Sequence, residues 1–342
     1  MNTRSRKMLM SEATFPVVSE RTRALVLGVN GQDGSYIADV LIKKGWFVIG
    51  VGRQSKSRWI DESSSGYSYH RLDLSDDRNF SAFLIEFMPS VIFHLAATHG
   101  PSGFNYEAHW RDAHAVNTLS VHAALEHLRC QAPNAVFVYA SSSKVFRTST
   151  GGVFTEFSPR ESSCIYSTTK NAATDLINYY RHQHQLKASV VWTFNHESPR
   201  RLGNYFIPKL VNNLAHALVD RAYSDTIDSL AFWCDWGDAR DYAAIIASIA
   251  AEAPGEDFII ASGKTLWAED FVSMLYASHG LSYQNHLHVK NPVGTKRPNA
   301  FWADISLLRQ RISVPQMRSI FEISDDILLT NHPHANAQSD QN

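Results

Sequence analysis

The chain has 342 residues, 44% hydrophobic and 19% charged, which is the balance of a globular protein and excludes a largely disordered one. Its 32 Lys and Arg stand against 33 Asp and Glu, so charge gives no reason to expect a nucleic-acid or membrane-surface partner. No apolar run approaches the roughly 20 residues a bilayer span needs, and the length suits one large domain with a smaller lobe.

The start carries Arg4, Arg6 and Lys7 but lacks the apolar stretch of a secretory signal. Residues 1–22 are expected to form a flexible extension, with Met8 or Met10 as an alternative start. Ala24–Gly28 then reads as an apolar strand, Gly34–Lys44 as a helix stopping at Gly45, and Trp46–Val51 as a second strand. Tyr69–Leu72 is a weaker third strand, and Asp76–Met88 a helix ended by Pro89. Val91–Ala97 is a fourth strand, Ala135–Ala140 a fifth after a long helix through His122, and Val190–Phe194 a sixth. Strands alternating with helices at this spacing predict an α/β fold, a Rossmann-type doubly wound parallel sheet with helices on both faces. After Phe194 the pattern loosens around Pro199, Pro208, Pro254, Pro292, Pro298 and Pro315. Residues 23–196 are therefore expected to form the sheet domain. Residues 197–330 form a substrate-binding lobe interleaved with late strands such as Phe258–Ala261, and 331–342 a flexible tail.

Cys130, Cys164 and Cys234 are far apart and odd in number, so neither a disulfide framework nor a zinc site is expected, and a reducing cytoplasm fits. Cys164 reads as a packing residue. His182 and His184, two apart on a helix, point to different faces and share no metal.

Gly28-Val-Asn30-Gly31-Gln32-Asp33-Gly34 joins the first strand to the first helix. Glycines there let the backbone approach a pyrophosphate, and the helix N-terminus supplies free N–H groups and positive charge. This predicts a nicotinamide dinucleotide site. At the end of the second strand, where an acid would bind the ribose of NAD, stands Arg53, which favours the 2′-phosphate of NADP. Asp73 and Leu74 are expected near the adenine, and Leu95, Ala96 and Ala97 are small enough to let the dinucleotide cross the sheet edge.

Ser141-Ser142-Ser143 follows the fifth strand, at the edge where such sheets place ligands, and Tyr166 and Lys170 lie one helical turn apart on one face. A nearby ammonium is expected to lower a phenol's pKa by roughly 1–3 units, making Tyr166 a usable base with a Ser142 hydroxyl holding the same oxygen. Both residues would also touch the cofactor.

On these motifs the chain resembles the extended short-chain dehydrogenase/reductases (the NAD-dependent epimerase/dehydratase family) and is similar to the GDP-mannose 4,6-dehydratases among them. Four stretches carry the likeness: residues 24–38 with Gly-Gln-Asp-Gly-Ser-Tyr, Phe194-Asn-His-Glu-Ser-Pro-Arg-Arg201, Asp235-Trp-Gly-Asp-Ala-Arg-Asp-Tyr242, and Glu256-Asp-Phe-Ile-Ile-Ala-Ser-Gly263. The resemblance implies an NADP-dependent cycle in which hydride leaves the hexose C4, water is lost across C5 and C6, and hydride returns to C6. It implies Ser142, Tyr166 and Lys170 as catalytic residues and His196 beside the cofactor. Asn195, Arg200 and Arg201 would lie at the sugar and diphosphate, Lys209 at the nucleotide, and Arg297 also at the substrate. It further implies a GDP-linked sugar as substrate and a homodimer or homotetramer.

The chain departs from that family at the catalytic glutamate, whose place holds Lys144, at the following Tyr-Gly, here Phe146-Arg147, and at the Arg before Asp-Trp-Gly, here Cys234. Lysine is cationic unless burial lowers its pKa. Three readings follow: a dehydratase using Lys144 or another base, a 4-keto reductase or epimerase without elimination, and a catalytically silent NADP sensor.

Overall fold

The computed structural model describes residues 22–101, 103–201, 204–292 and 297–336. The expected N-terminal extension lies outside the described residues except for Thr22, and the expected tail is described only through Asn336.

The strands are β1 (Arg23–Leu27), β2 (Phe47–Gly52), β3 (Tyr67–Arg71), β4 (Val91–His94), β5 (Val136–Ser142), β6 (Gly152–Phe154), β7 (Lys187–Thr193), β8 (Asn195–Glu197), β9 (Asp225–Ser229), β10 (Trp233–Asp238), β11 (Phe258–Ile260), β12 (Thr265–Trp267), β13 (Leu287–Asn291) and β14 (Phe301–Ala303). Among the helices are α1 (Gln32–Lys43), α2 (Asp77–Phe87), α3 (Trp110–His114), α4 (Ser120–Cys130), α5 (Ile165–His184), α6 (Phe206–Val219), α7 (Ala239–Glu252), α8 (Ala268–Ser278), α9 (Ser306–Arg311) and α10 (Ile320–Asn331).

Seven strands form one parallel sheet in the order β11-β7-β5-β4-β1-β2-β3, with the chain reversing direction of travel between β1 and β4. The apolar runs of its central strands meet helices on both faces, so β1 from Ala24 to Leu27 has no exposed surface. Helix α1 seals one face with Ile37, Ala38 and Leu41, all fully buried. Each large aliphatic side chain there contributes about 1.5–3 kcal/mol.

Two apolar cores result. The larger surrounds the sheet and takes in α7, β11 and Phe301–Ile312, so late segments do return to it. The smaller joins α6, α8 and α10 around Trp236. Fully buried Asp238 helps hold the late helices in place. It caps α7 by accepting the Arg240 N–H (2.7 Å) and pairs with both Arg240 (2.8 Å) and Arg318 (3.1 Å). Among the described residues no helix is long and apolar enough to cross a membrane. The cysteines are unbridged, and no cluster of metal-ligating side chains occurs among the described residues.

Candidate active site

The carboxyl ends of β1, β2, β4, β5 and β7 open onto one crevice of about 390 Å³. Its floor begins at the turn after β1. Gly28 adopts φ +89°, where a side chain is strained, and a Cβ there would sit 2.9 Å from the Ala96 backbone. A Cβ on Gly34 would sit 2.3 Å from the Gly28 carbonyl oxygen. Helix α1 thus starts tight against β1 with Gly31 as its N-cap, leaving first-turn N–H groups at the crevice. Asn30, Gln32 and Asp33 complete this wall. Asn30 fixes the loop after β2: its side chain bonds Gln54 (3.0 Å), the Lys56 carbonyl (3.0 Å) and the Arg58 N–H (2.9 Å). Arg53 in that loop is exposed, lines the crevice and makes no hydrogen bond or ion pair among the described residues. Asp73, Leu74, Leu95, Ala96 and Ala97 line the neighbouring stretch.

The other end of the crevice is chemical. Ser142 is the last residue of β5, while Tyr166 and Lys170 face the cavity from the first turns of α5. That helix is anchored by the Cys164 N–H donating to Ser167 Oγ (3.0 Å), a capping role for the segment around Cys164. Tyr166 is 6% and Lys170 2% exposed. Lys170 Nζ donates to the Ala140 carbonyl (2.7 Å) and lies 4.5 Å from the Tyr139 ring centre and 5.6 Å from that of Tyr166.

The electrostatics differ from the sequence expectation. Burial pushes the Tyr166 phenol above its ordinary value, with the Ser142 hydroxyl acting against that rise. The reason is geometric: Nζ rests over ring faces, and burial pushes Lys170 itself down to about 7. Nζ is committed to the Ala140 carbonyl and its charge is weakened by burial, so spacing alone does not give the expected shift.

That burial makes a stability prediction. Between about 7 and 10.5 the unfolded chain keeps the lysine proton while the folded chain has lost it. This group alone therefore makes stability climb with pH by up to about 1.4 kcal/mol per unit across that window. Lys170→Met is expected to remove that increment and to stabilise the fold below the window. Urea unfolding across the pH range reads it, and an unchanged pH dependence would contradict the buried, deprotonated amine.

Beside this group runs a charged network. His196 Nε2 donates to Asp33 (2.8 Å) and Nδ1 to the Phe194 carbonyl (2.7 Å), the arrangement of an imidazolium. Burial works against that charge, but Asp33 prevails and raises the His196 pKa. Burial likewise pushes the Asp33 carboxyl up, yet His196 and Arg201 together hold it well below the carboxylate range. Arg201 lines the crevice, donates to Glu197 (3.2 Å) and to the His196 carbonyl (2.9 Å), and lies over the Tyr205 ring. Asn195 lines the crevice and donates to the buried Cys234 thiol (3.1 Å). Burial pushes that thiol far up, so it remains protonated.

Four residues of the sequence reading stand off the crevice wall. Lys144 is exposed in the turn after β5, its backbone N–H on Ser142 Oγ (3.2 Å). Arg200 turns to α1, pairs with Asp39 (2.8 Å) and packs over Tyr36 and Trp59. Lys209 lies in α6, with its charge felt by Asp228. Arg297 grips Asp270 through two 2.7 Å bonds over Trp267.

Sequence reasoning missed Thr98, His99 and Tyr205, all on the crevice wall, and Tyr106 behind His99. A π-helical turn over Ala115–Leu119 fixes the Thr98 end of this stretch. It lets Asn117 accept the Thr98 N–H (2.8 Å) and donate to Thr169 of α5 (3.0 Å). Nothing in the hydrophobic period of 107–130 announces that turn.

A family model described as GDP-mannose 4,6 dehydratase matches residues 25–306. The chain is 31% identical over 287 residues to the GDP-mannose 4,6-dehydratase of Yersinia enterocolitica, covering 77% of this chain and 73% of that one. To GDP-mannose 4,6 dehydratase of Homo sapiens it is 29% identical over 278 residues, 76% of this chain and 73% of that one. Among solved structures, dTDP-glucose 4,6-dehydratase from Bacillus anthracis in complex with NAD aligns with a TM-score of 0.75 at 15% identity, over 92% of this chain and 97% of that one. That last likeness is one of fold.

Proposed function

The chain belongs to the GDP-mannose 4,6-dehydratase family, and from that premise we propose that it is an NADP-dependent 4,6-dehydratase of a GDP-linked hexose. The observation that carries the reading is one crevice holding both a glycine cradle for a diphosphate and the Ser142, Tyr166 and Lys170 side chains. A Cβ would fill the cradle at Gly28 or Gly34, and the N-terminus of α1 offers donors and positive charge to a pyrophosphate. The residues fit a dinucleotide on those grounds. Gly28 to Gly34 hold the diphosphate, Asp73 and Leu74 flank the adenine, and Leu95 to Ala97 line its path. His196, charged and paired with Asp33, fixes the cradle from the far side.

The nicotinamide, when bound, accepts a hydride and returns it, and its oxidised ring brings a positive charge. The chain's own residues manage protons and position. Tyr166 takes the C4 hydroxyl proton, with Ser142 holding the oxygen and the amine of Lys170 available to pass the proton on. The Ser142 hydroxyl opposes the burial that raises the phenol, and a positive charge brought in by the bound ring would act in the same direction. Arg201 and Asn195 meet the sugar diphosphate, Arg201 through charge-assisted bonds. Asn195 closes the sheet domain and Arg201 opens the lobe from residue 197 onward, so these contacts fall at the junction of the two.

Arg53 is proposed to bind the 2′-phosphate, since its guanidinium is unpaired at the mouth of the crevice. A lost charge-assisted contact of about 1.5–3 kcal/mol corresponds to roughly 10–100-fold in affinity. Arg53→Asp is thus expected to shift the NADP-to-NAD affinity ratio by that factor toward NAD. Titrating both dinucleotides checks it, and an unmoved ratio would remove the assignment.

One observation favours a second reading, a 4-keto reductase or epimerase. Among the described residues the carboxylates on the crevice wall are Asp33, committed to His196, and Asp73, which accepts from Ser75. Neither is free to take a sugar proton. Incubating the purified protein with GDP-mannose and NADP separates the readings by product mass. Loss of one water supports the dehydratase. An inert mixture that consumes NADPH on the 4-keto-6-deoxy product supports the reductase. Inertness on every nucleotide sugar despite NADP binding supports neither.

A further inference from the structure

We infer that His99 carries the sugar's second proton transfer, the one that drives water loss, in place of a carboxylate. The inference rests on the dehydratase reading above.

His99 lies on the crevice wall, and its ring is 4.6 Å from the Tyr166 ring and tilted 32° to it. It therefore lies beside the phenol ring on the same crevice wall. Its Nδ1 is 2.6 Å from the Tyr106 hydroxyl. Donor and acceptor exchange with the tautomer; in the one with Nδ1–H donating to that oxygen, Nε2 keeps a lone pair. The holder is itself fixed: Tyr106 is 9% exposed and stacks on Tyr166 at 5.7 Å. The backbone of His99 follows Thr98, which Asn117 clamps. A Cβ on Gly100 would fall 2.1 Å from Phe104, so the segment after His99 packs with no space to spare.

Burial, then Arg201, Lys144 and Lys170, push His99 down to about 3, so it is neutral while His196, the other crevice imidazole, is charged. A neutral imidazole has a lone pair that can accept a proton, although burial and the nearby cations weaken it as a base. The negative charge of a bound sugar diphosphate opposes the effect of the Arg201 charge and raises the imidazole toward the range a general base needs.

The step balances. Once C4 is a ketone, Nε2 takes the C5 proton. The C5–H electrons form the C5=C6 double bond as the C6–O bond breaks. The proton then leaves with the C6 hydroxyl as water, and His99 ends neutral. No further reactant is needed.

The test uses the full chain with GDP-mannose and NADP in deuterium oxide. His99→Gln is expected to slow water loss and C5 deuterium uptake by about 100-fold or more. NADP affinity and the single-turnover rise of reduced-nicotinamide absorbance are expected to stay near wild type, which also reports a folded variant. Tyr106→Phe is expected to slow water loss by about tenfold, through the lost orientation of the ring. If wild type eliminates water and His99→Gln does so equally fast, this inference fails while the dehydratase reading stands. Equal loss of oxidation and elimination would also overturn it, because His99 would then act only through Tyr166. A wild-type protein that oxidises C4 without losing water would sink the dehydratase reading and this inference together.

Discussion

Replacing Tyr166 with Phe is expected to lower turnover on the nucleotide sugar by about 10²–10⁴-fold, the range of a lost general acid–base group. The substitution removes one oxygen from a side chain that is 6% exposed and packed among Tyr106 and His99. The ring remains, so the cavity shape and the glycine turn after β1 are expected to remain. Dinucleotide affinity is therefore expected to hold. The missing oxygen is the one the Ser142 hydroxyl bonds. Stopped-flow detection of reduced nicotinamide with equilibrium NADP titration reads both quantities. Retained turnover would remove Tyr166 from the chemistry.

The second large effect is expected at the turn after β1. Gly34→Ala places a methyl 2.3 Å from the Gly28 carbonyl oxygen and 2.8 Å from the Val29 Cα, against backbone that cannot rotate aside. Helix α1 must then move off β1. Overpacking of this kind costs about 1–3 kcal/mol of stability. The displaced N–H groups would cost affinity for NADP by about 100-fold, equivalent to two lost charge-assisted bonds. Gly45→Ala is the matched comparison. Gly45 also needs a positive φ of +81°, but nothing lies within 4 Å of its Cβ position and it sits at the other end of α1. It is expected to cost about 1–2 kcal/mol of stability with no loss of affinity. Urea unfolding and NADP titration of the pair distinguish a collapsed cradle from general destabilisation. Wild-type affinity in Gly34→Ala would contradict the cradle.

Much of the fold was legible in the sequence because short apolar runs and helical periods alternate cleanly up to Phe194. The parallel sheet, its helices and the crevice edge follow from that alternation, and each expected strand falls within a few residues of an observed one. The glycine turn and the Tyr166–Lys170 pair were legible for a local reason, since turn geometry and a four-residue spacing need no tertiary information. What depends on tertiary placement was not legible. Arg200 and Arg201 are neighbours, yet one turns to Asp39 on α1 and the other into the crevice. Arg297 satisfies itself on Asp270, a partner 27 residues away in sequence. His99 and Tyr106 follow β4 in an irregular segment with no period, and long-range contacts set their direction: the Asn117 clamp on Thr98 and the Tyr166 ring. The sign of the phenol shift was missed because it is set by burial, which i to i+4 spacing does not report.

The central claim is that one crevice moves a hydride from C4 to C6 of a GDP-hexose while water departs between them. GDP-mannose carrying deuterium at C4, turned over with unlabelled NADP, tests it most directly by NMR of the product. The account predicts a 4-keto-6-deoxy sugar with the deuterium on C6. Deuterium found still on C4, or recovered only on the free cofactor, would contradict it.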